Sequence, residues 1–277
     1  MANFVFFGTG GLLSSICLNE LIANKLLPKQ VILQAQPSRI YPNLTELSAV
    51  NAQIPVAHVS NVNAPENIAL LHSLGVDFGV VASYGQIFKG DLLKLFPIYN
   101  VHMGVLPDYR GAYTNFWKIL ANHNIFGSTI HLIDEQIDGG QAALIVEEDF
   151  SDIIFSNTFF RKNYEMGAKG LIKVIKQLQQ GTQKYSTIDV SKGKYYRKHT
   201  QDDLILDPNE DVSLLHVKIN RLQFYGHPTI EGFAITESNL LLATNVNQKD
   251  YSITKVSANS FIFQNKTGIL LLKHLNN

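Results

Sequence analysis

Tyr99–Gly111 reads YNVHMGVLPDYRG, and it follows a short apolar run, Ile98–Val101, with the character of a strand reaching its end. Residues i and i+2 of a strand point to one face, so Asn100 and His102 can address the same atom. Further on, Asp138 stands in the IDGG of residues 137–140. An amide donor, an imidazole and a carboxylate are the parts needed to attack a carbonyl carbon. They can stabilise an oxyanion, move a proton and orient the base.

Outward from this stretch the chain alternates apolar runs with segments of helical period. Strands are expected at Asn3–Phe7, Gln30–Gln34, Pro55–Val59, Ser128–Ile133 and Ala142–Glu148, and at Phe78–Ala82, which is apolar enough to be buried on both faces. Helices are expected after Gly11 as far as Leu26, at Ala64–Leu74 and Tyr113–Asn122, and where Tyr164, Ala168, Leu171, Ile172, Ile175 and Leu178 keep a 3.6-residue period. This pattern predicts an α/β, Rossmann-like core with a mostly parallel sheet, whose ligands sit beyond the C-terminal ends of the strands.

Composition shifts after Tyr185. A basic, tyrosine-rich run, Lys192–His199, precedes an acidic one, Asp202–Asp211. A helix is expected at Val212–Phe224, and Glu231–Leu275 breaks into short β-like runs with a hairpin at Phe261–Leu272. The expected division is a catalytic core over 1–185, then a linker and small β-rich C-terminal domain over 186–277.

The 277 residues are 45% apolar and 17% charged, with 23 basic against 23 acidic side chains. A net charge of zero argues against a protein built to grip a nucleic-acid backbone. Cys17 is the single cysteine, so no disulfide forms within the chain; its simplest role is a small buried apolar residue. No signal peptide and no membrane-length apolar run is read, which implies a reducing, cytoplasmic compartment.

Four features admit two readings each. Gly8, Thr9 and Gly10 open a helix and can hold an anionic substrate group, or they form a plain tight turn. Tyr84–Gln86 can hydrogen-bond a flat heterocycle or be an ordinary loop. His131 points away from Ile130 and Leu132, toward a substrate or into the structure. Lys192–His199 is a solvated linker or a clamp on a phosphorylated substrate. Zinc on His102, Asp138 and His131 is disfavoured because paired-ligand spacings are absent, so no metal is expected.

The segments FVFFGTG, VVASYGQIF, NVHMGVLPDYRGAYTNFWKIL and GSTIHLIDEQIDGGQ, in this order, resemble the folate-dependent formyltransferases. The likeness covers residues 3–180 and, more loosely, Arg221–Ile235. It implies N10-formyltetrahydrofolate as donor and catalytic roles for Asn100, His102 and Asp138. It also implies donor contacts at Ser83, Tyr84, Gly85, Gln86, Ile87 and Ile137. The chain departs from the family pattern at Gly104, where a serine is usual, and at Gly139, where a threonine is usual.

For the acceptor, tRNA-specific members carry a basic loop after the second strand. Here Lys29–Ser60 holds only Lys29 and Arg39 as cations, so tRNA is disfavoured. The expected acceptor is a nucleotide-linked amino sugar of surface-polysaccharide biosynthesis, with Tyr109, Arg110, His131 and the Gly8–Gly10 turn as substrate contacts. The alternatives are a methionyl-tRNA formyltransferase and a non-catalytic binding module on the same fold. A homodimer through an edge at Ile269–Leu272 is also expected to be open to the chain.

Overall fold

The computed structural model describes residues 3–35, 43–243 and 251–275; Arg39 lies outside them. The chain forms two compact units. The first comprises Met1–Gly111, Phe126–Glu148 and Arg161–Tyr196; the second comprises Ala112–Ile125, Asp149–Phe160 and Arg197–Asn277.

The strands that build the first unit are β1 (Phe4–Gly8), β2 (Gln30–Gln34), β3 (Val56–Val59), β4 (Phe78–Ala82), β5 (Ile98–His102), the two-residue β6 (Arg110–Gly111), β7 (Ile125–Leu132), β8 (Ala142–Asp149) and β9 (Tyr195–Tyr196). Seven of them form one sheet in the order β3-β2-β1-β4-β5-β7-β8. β3, β2, β1, β4 and β5 run parallel, so their C-terminal ends share one edge. β7 is antiparallel to β5. β6 pairs with β9 as a separate ribbon.

Every side chain of β1 and β4 is buried, as strands flanked on both sides require. Val5 and Phe7 pack with Val81, Leu71, Leu92 and Ile98, leaving Phe4 and Phe6 to the other face by alternation. The helices are α1 (Leu12–Ala23), α2 (Leu44–Asn51), α3 (Pro65–Ser73), α4 (Asp91–Leu95), α5 (Thr114–Leu120), α6 (Ser156–Gln180) and α7 (Val212–Leu222). α1 buries Leu13, Cys17, Leu18 and Leu21, so Cys17 is packing material, and burial pushes its thiol pKa far up.

α2, α4 and the first two turns of α6 go beyond the sequence expectation. α2 buries Thr45 and Ala49 and leaves Leu44, Leu47 and Val50 exposed. Its apolar period therefore faces the wrong way to announce a core helix.

In the second unit, β10 (Thr229–Ile230), β11 (Phe233–Ala243), β12 (Ser252–Ser257), β13 (Ser260–Asn265) and β14 (Gly268–His274) form an antiparallel sheet in the order β10-β11-β14-β13-β12. The Phe261–Leu272 hairpin is the β13–β14 pair. β14 is an inner strand with ladders to β11 and β13, so Ile269–Leu272 has no free backbone edge. That corrects the dimer route, because its hydrogen bonds are already made within the sheet. Beside this sheet, Arg221 is buried, its guanidinium donating to the carbonyls of Phe150 (2.6 Å) and Ile153 (2.9 Å). Among the described residues, no helix is long and apolar enough to cross a membrane.

Candidate active site

The register of β5 against β7 builds the site. Asn100 pairs with His131 and His102 with Thr129, and directly opposed residues share a face. The opposite face is taken by α6: a Cβ at Gly167 would lie 3.3 Å from Val101, and one at Gly170 would lie 3.0 Å from Ile130. Val101 and Ile130 therefore turn to the helix, while Asn100, His102 and His131 turn the other way. The loop after β7 returns Asp138 to this face.

Asp138 adopts a left-handed backbone, φ 52°, a conformation that costs free energy and concentrates at functional positions. Gly140 follows directly beneath the Leu132 carbonyl, where a Cβ would collide with that oxygen. The two glycines after Asp138 are what let the loop fold back so closely.

The groups meet as follows. Asp138 Oδ2 is 3.7 Å from His102 Nδ1, and Asp138 Oδ1 is 3.5 Å from His131 Nε2. Their side chains are 11%, 7% and 2% exposed in that order, so these are buried polar groups just under the surface. His131 Nδ1 donates to the Leu132 carbonyl at 2.8 Å. In the neutral ring Nε2 is then an acceptor, and Asn100 Nδ2 donates to it at 3.2 Å. This fixes which way the Asn100 amide points and leaves its second hydrogen available. His102 Nε2 lies 2.7 Å from the Tyr109 carbonyl. A carbonyl only accepts, so Nε2 carries the proton. Gly111 N–H donates to Asp138 Oδ2 at 2.7 Å.

Burial pushes His102 below its ordinary pKa, outweighing the opposite pull of the Asp138 charge. Burial also acts to raise Asp138, but the two histidines and the Gly111 amide overcome it and bring the carboxyl down to about 2. At neutral pH the centre therefore holds a neutral imidazole beside a carboxylate. Ser128 Oγ donates to the His102 carbonyl (2.9 Å), and Thr129 Oγ1 donates to that of Gly104 (2.7 Å), pinning the turn after β5.

The other expected site residues are placed less uniformly. In the Gly8–Gly10 turn, Thr9 N–H is taken by Ser14 Oγ (2.9 Å) and Gly11 N–H by Thr9 Oγ1 (3.2 Å). Two of the turn's amides are thus already bonded within the turn. The Ser83–Ile87 loop is anchored outward: Gly85 N–H donates to Gln34, and Gln86 bonds Val62 N–H and the Ser60 carbonyl. Ser83 is left-handed, φ 58°, Ile87 and Ile137 are exposed apolar side chains, and the Tyr84 hydroxyl is buried without a hydrogen-bond partner among the described residues. Ile87 and Ile137 thus leave apolar surface exposed, while the Tyr84 ring packs inward on Phe7 and Phe88.

Tyr109 stacks on Tyr196, with ring centroids 4.8 Å apart, and Lys194 lies over the Tyr196 ring at 5.1 Å. Arg110 is half-buried, its Nε without a partner among the described residues. Within Lys192–His199, Arg197 is committed to Asp203 through two hydrogen bonds and Lys192 pairs with Asp189. The run is therefore largely self-satisfied. His131 accepts from Asn100 within the fold, with Asp138 Oδ1 3.5 Å from the same nitrogen. The site groups that sequence reasoning missed are backbone ones, the Tyr109 and Leu132 carbonyls and the Gly111 amide, which carry no sequence signal. Among the described residues, no group of three or more His, Cys, Asp or Glu is arranged to hold a metal ion.

Comparison with known proteins gives the same frame. The formyl transferase family model matches residues 2–158. A methionyl-tRNA formyltransferase of Helicobacter pylori (strain P12) is 29% identical over 251 residues, covering 86% of this chain and 78% of its own. An N-formyltransferase of Helicobacter canadensis, solved with folinic acid and dTDP-3-aminofucose, superposes with a TM-score of 0.68 at 18% identity over 99% of both chains. WlaRD, a sugar 3N-formyl transferase solved with dTDP and 5-N-formyl-THF, gives a TM-score of 0.70 at 18% identity, covering 100% of this chain and 99% of its own. At that identity the structural likeness speaks for the fold. The family match covers more than half of the chain and includes Asn100, His102 and Asp138. The chain belongs to the formyl transferase family and is an N-formyltransferase.

Proposed function

We propose that the chain transfers a formyl group from N10-formyltetrahydrofolate to the primary amine of a nucleotide-linked amino sugar, as a cytoplasmic step in surface-polysaccharide biosynthesis. The observation that carries the reaction class is the convergence of Asn100, His102 and Asp138 on one face of β5 and its neighbouring loop. The folate supplies the formyl carbon as an electrophile. The reading seats it against the Ser83–Ile87 loop and Ile137, where the exposed Ile87 and Ile137 side chains supply apolar surface for a flat ring.

Asn100 holds negative charge on the carbonyl oxygen with the Nδ2 hydrogen that His131 does not take. His102, neutral, accepts the proton of the attacking amine. Asp138 faces the ring nitrogen that receives it and offsets the new positive charge. The reading assigns catalysis to residues 1–185 and treats 186–277 as linker and small β-rich domain.

The sugar acceptor is supported by three features. Zero net charge and the two cations of Lys29–Ser60 suit a small acceptor better than an RNA backbone. The two sugar-linked neighbours match the chain over its whole length, C-terminal sheet included. The likeness to the methionyl-tRNA formyltransferase covers less, 86% of this chain and 78% of that protein. That sequence likeness keeps initiator tRNA as the second reading.

The test is tetrahydrofolate release by the purified chain, with formyl donor and either UDP- or dTDP-linked amino sugars or charged initiator tRNA. Product masses 28 Da above the amino sugar, as one formyl group requires, support the proposal. Turnover of the tRNA alone would falsify it, and folate binding without release for any amine points to a binding module.

A further inference from the structure

Gly104 lies two residues beyond His102 in the turn after β5, and the structure gives it a task. A Cβ built there would stand 2.8 Å from His102 Nε2 and 2.9 Å from the Tyr109 carbonyl oxygen. Those are the two atoms of the hydrogen bond that closes over the catalytic ring at 2.7 Å. The Gly104 carbonyl is itself held by Thr129 Oγ1, and the Tyr109 oxygen is backbone, in a residue fixed left-handed at φ 55°. Neither side can yield easily.

We propose that Gly104 is a positioning residue. By leaving room for the His102–Tyr109 bond, it locks His102 in the Nε2–H tautomer, so that Nδ1 is the nitrogen that accepts the acceptor's proton, facing Asp138. The inference rests on the formyl-transfer reading of His102 for its functional meaning, but the tautomer itself does not.

The neighbours of the ring support one direction of transfer. Its facing groups are Asp138 on the loop after β7, His131 on β7 and the Tyr109 carbonyl on the turn after β5. Nε2 is occupied by a carbonyl that cannot give it a proton. Nδ1 alone has its lone pair available, 3.7 Å from a carboxylate oxygen. When the amine nitrogen bonds to the formyl carbon, its proton passes to Nδ1 and the carbonyl electrons move onto the oxygen. As that oxyanion collapses, the bond from the carbon to folate N10 breaks, and the leaving nitrogen takes the proton back from Nδ1, releasing tetrahydrofolate. In between, the imidazolium is bracketed by the carboxylate and the Tyr109 carbonyl. The same turn ends at Gly111, whose N–H holds Asp138 Oδ2. One short loop thus sets both the ring's tautomer and its partner's orientation.

The test is nitrogen-15 NMR of histidine-labelled full chain at pH 7.5, with Gly104→Ala beside it. Wild type is expected to show His102 neutral with the proton on Nε2. The Ala variant is expected to lose that signature and ~10-fold in kcat, as for one lost hydrogen bond, with donor KM unchanged. A wild-type spectrum with the proton on Nδ1 overturns the proposal even if the variant fails to fold. A folded variant with unchanged tautomer and kcat overturns it as well. If no amine is formylated, the functional reading fails, while the wild-type tautomer still decides this inference.

Discussion

β1 and β5 end at the same edge of the sheet, and both run into polar, glycine-containing turns. At the β1 end the side chains are tied to the backbone: Ser14 Oγ accepts from Thr9 N–H and donates to the Ala82 carbonyl at 2.5 Å, and Thr45 Oγ1 caps the Thr9 carbonyl at 2.7 Å. At the β5 end they do not all close. The second amide hydrogen of Asn100 and the lone pair of His102 Nδ1 remain, buried or half-buried, with Asp138 poised beside them. Native interiors rarely leave polar capacity unused. Where they do, beside a strained Asp138 backbone, a substrate is the natural claimant. Glycine-rich turns look alike in sequence; the difference lies in whether their titratable and amide side chains are committed to the fold.

The sharpest way to break this contrast is Asp138→Asn, which keeps the shape and removes the charge. The expected loss is ~100-fold or more in kcat, the range seen when a group acting on the transition state is removed. Steady-state formylation measures it, and near-wild-type turnover would erase the distinction between the two ends.

Second in size is the acid limb of kcat/KM. The neutral form of His102 accepts the proton, and its pKa lies below the ordinary 6.5. Activity should therefore hold as pH falls past 6.5 and be lost only below it, as His102 charges. Asp138 stays ionised through that window, since it titrates at about 2. The unfolded chain takes up the histidine proton first as pH falls, so stability should decline in the same window. A limb centred above 6.5 contradicts the burial argument.

His131→Phe removes the acceptor that aims Asn100. A loss of ~10-fold in kcat at constant donor KM is expected, comparable to one hydrogen bond. Smallest for catalysis is Ser14→Ala at the closed end. It should cost about 1–2 kcal/mol in urea unfolding, because it strands a buried carbonyl and amide, yet leave kcat unchanged. A large kcat effect there would show that the β1 turn is also a working site.

How much of this was readable beforehand follows the same physics. Asn100 and His102 were legible because a strand's two-residue period fixes a shared face. His131 was half-legible: alternation gave its direction, but only the β5–β7 register shows that it serves Asn100. The Tyr109 carbonyl and Gly111 amide were invisible, because every residue has such groups. α2 was missed because its leucines face outward. The inner position of β14 depends on pairing partners distant in sequence, which no local pattern contains.

The most direct measurement is single-turnover formyl transfer by Asn100→Ala, paired with the dissociation constant of the formyl donor. The account predicts unchanged donor binding and a rate reduced by ~100-fold or more, because the amide acts on charge that appears only during reaction. Transfer at the wild-type rate would contradict it, and the β5 edge would lose its claim to the chemistry.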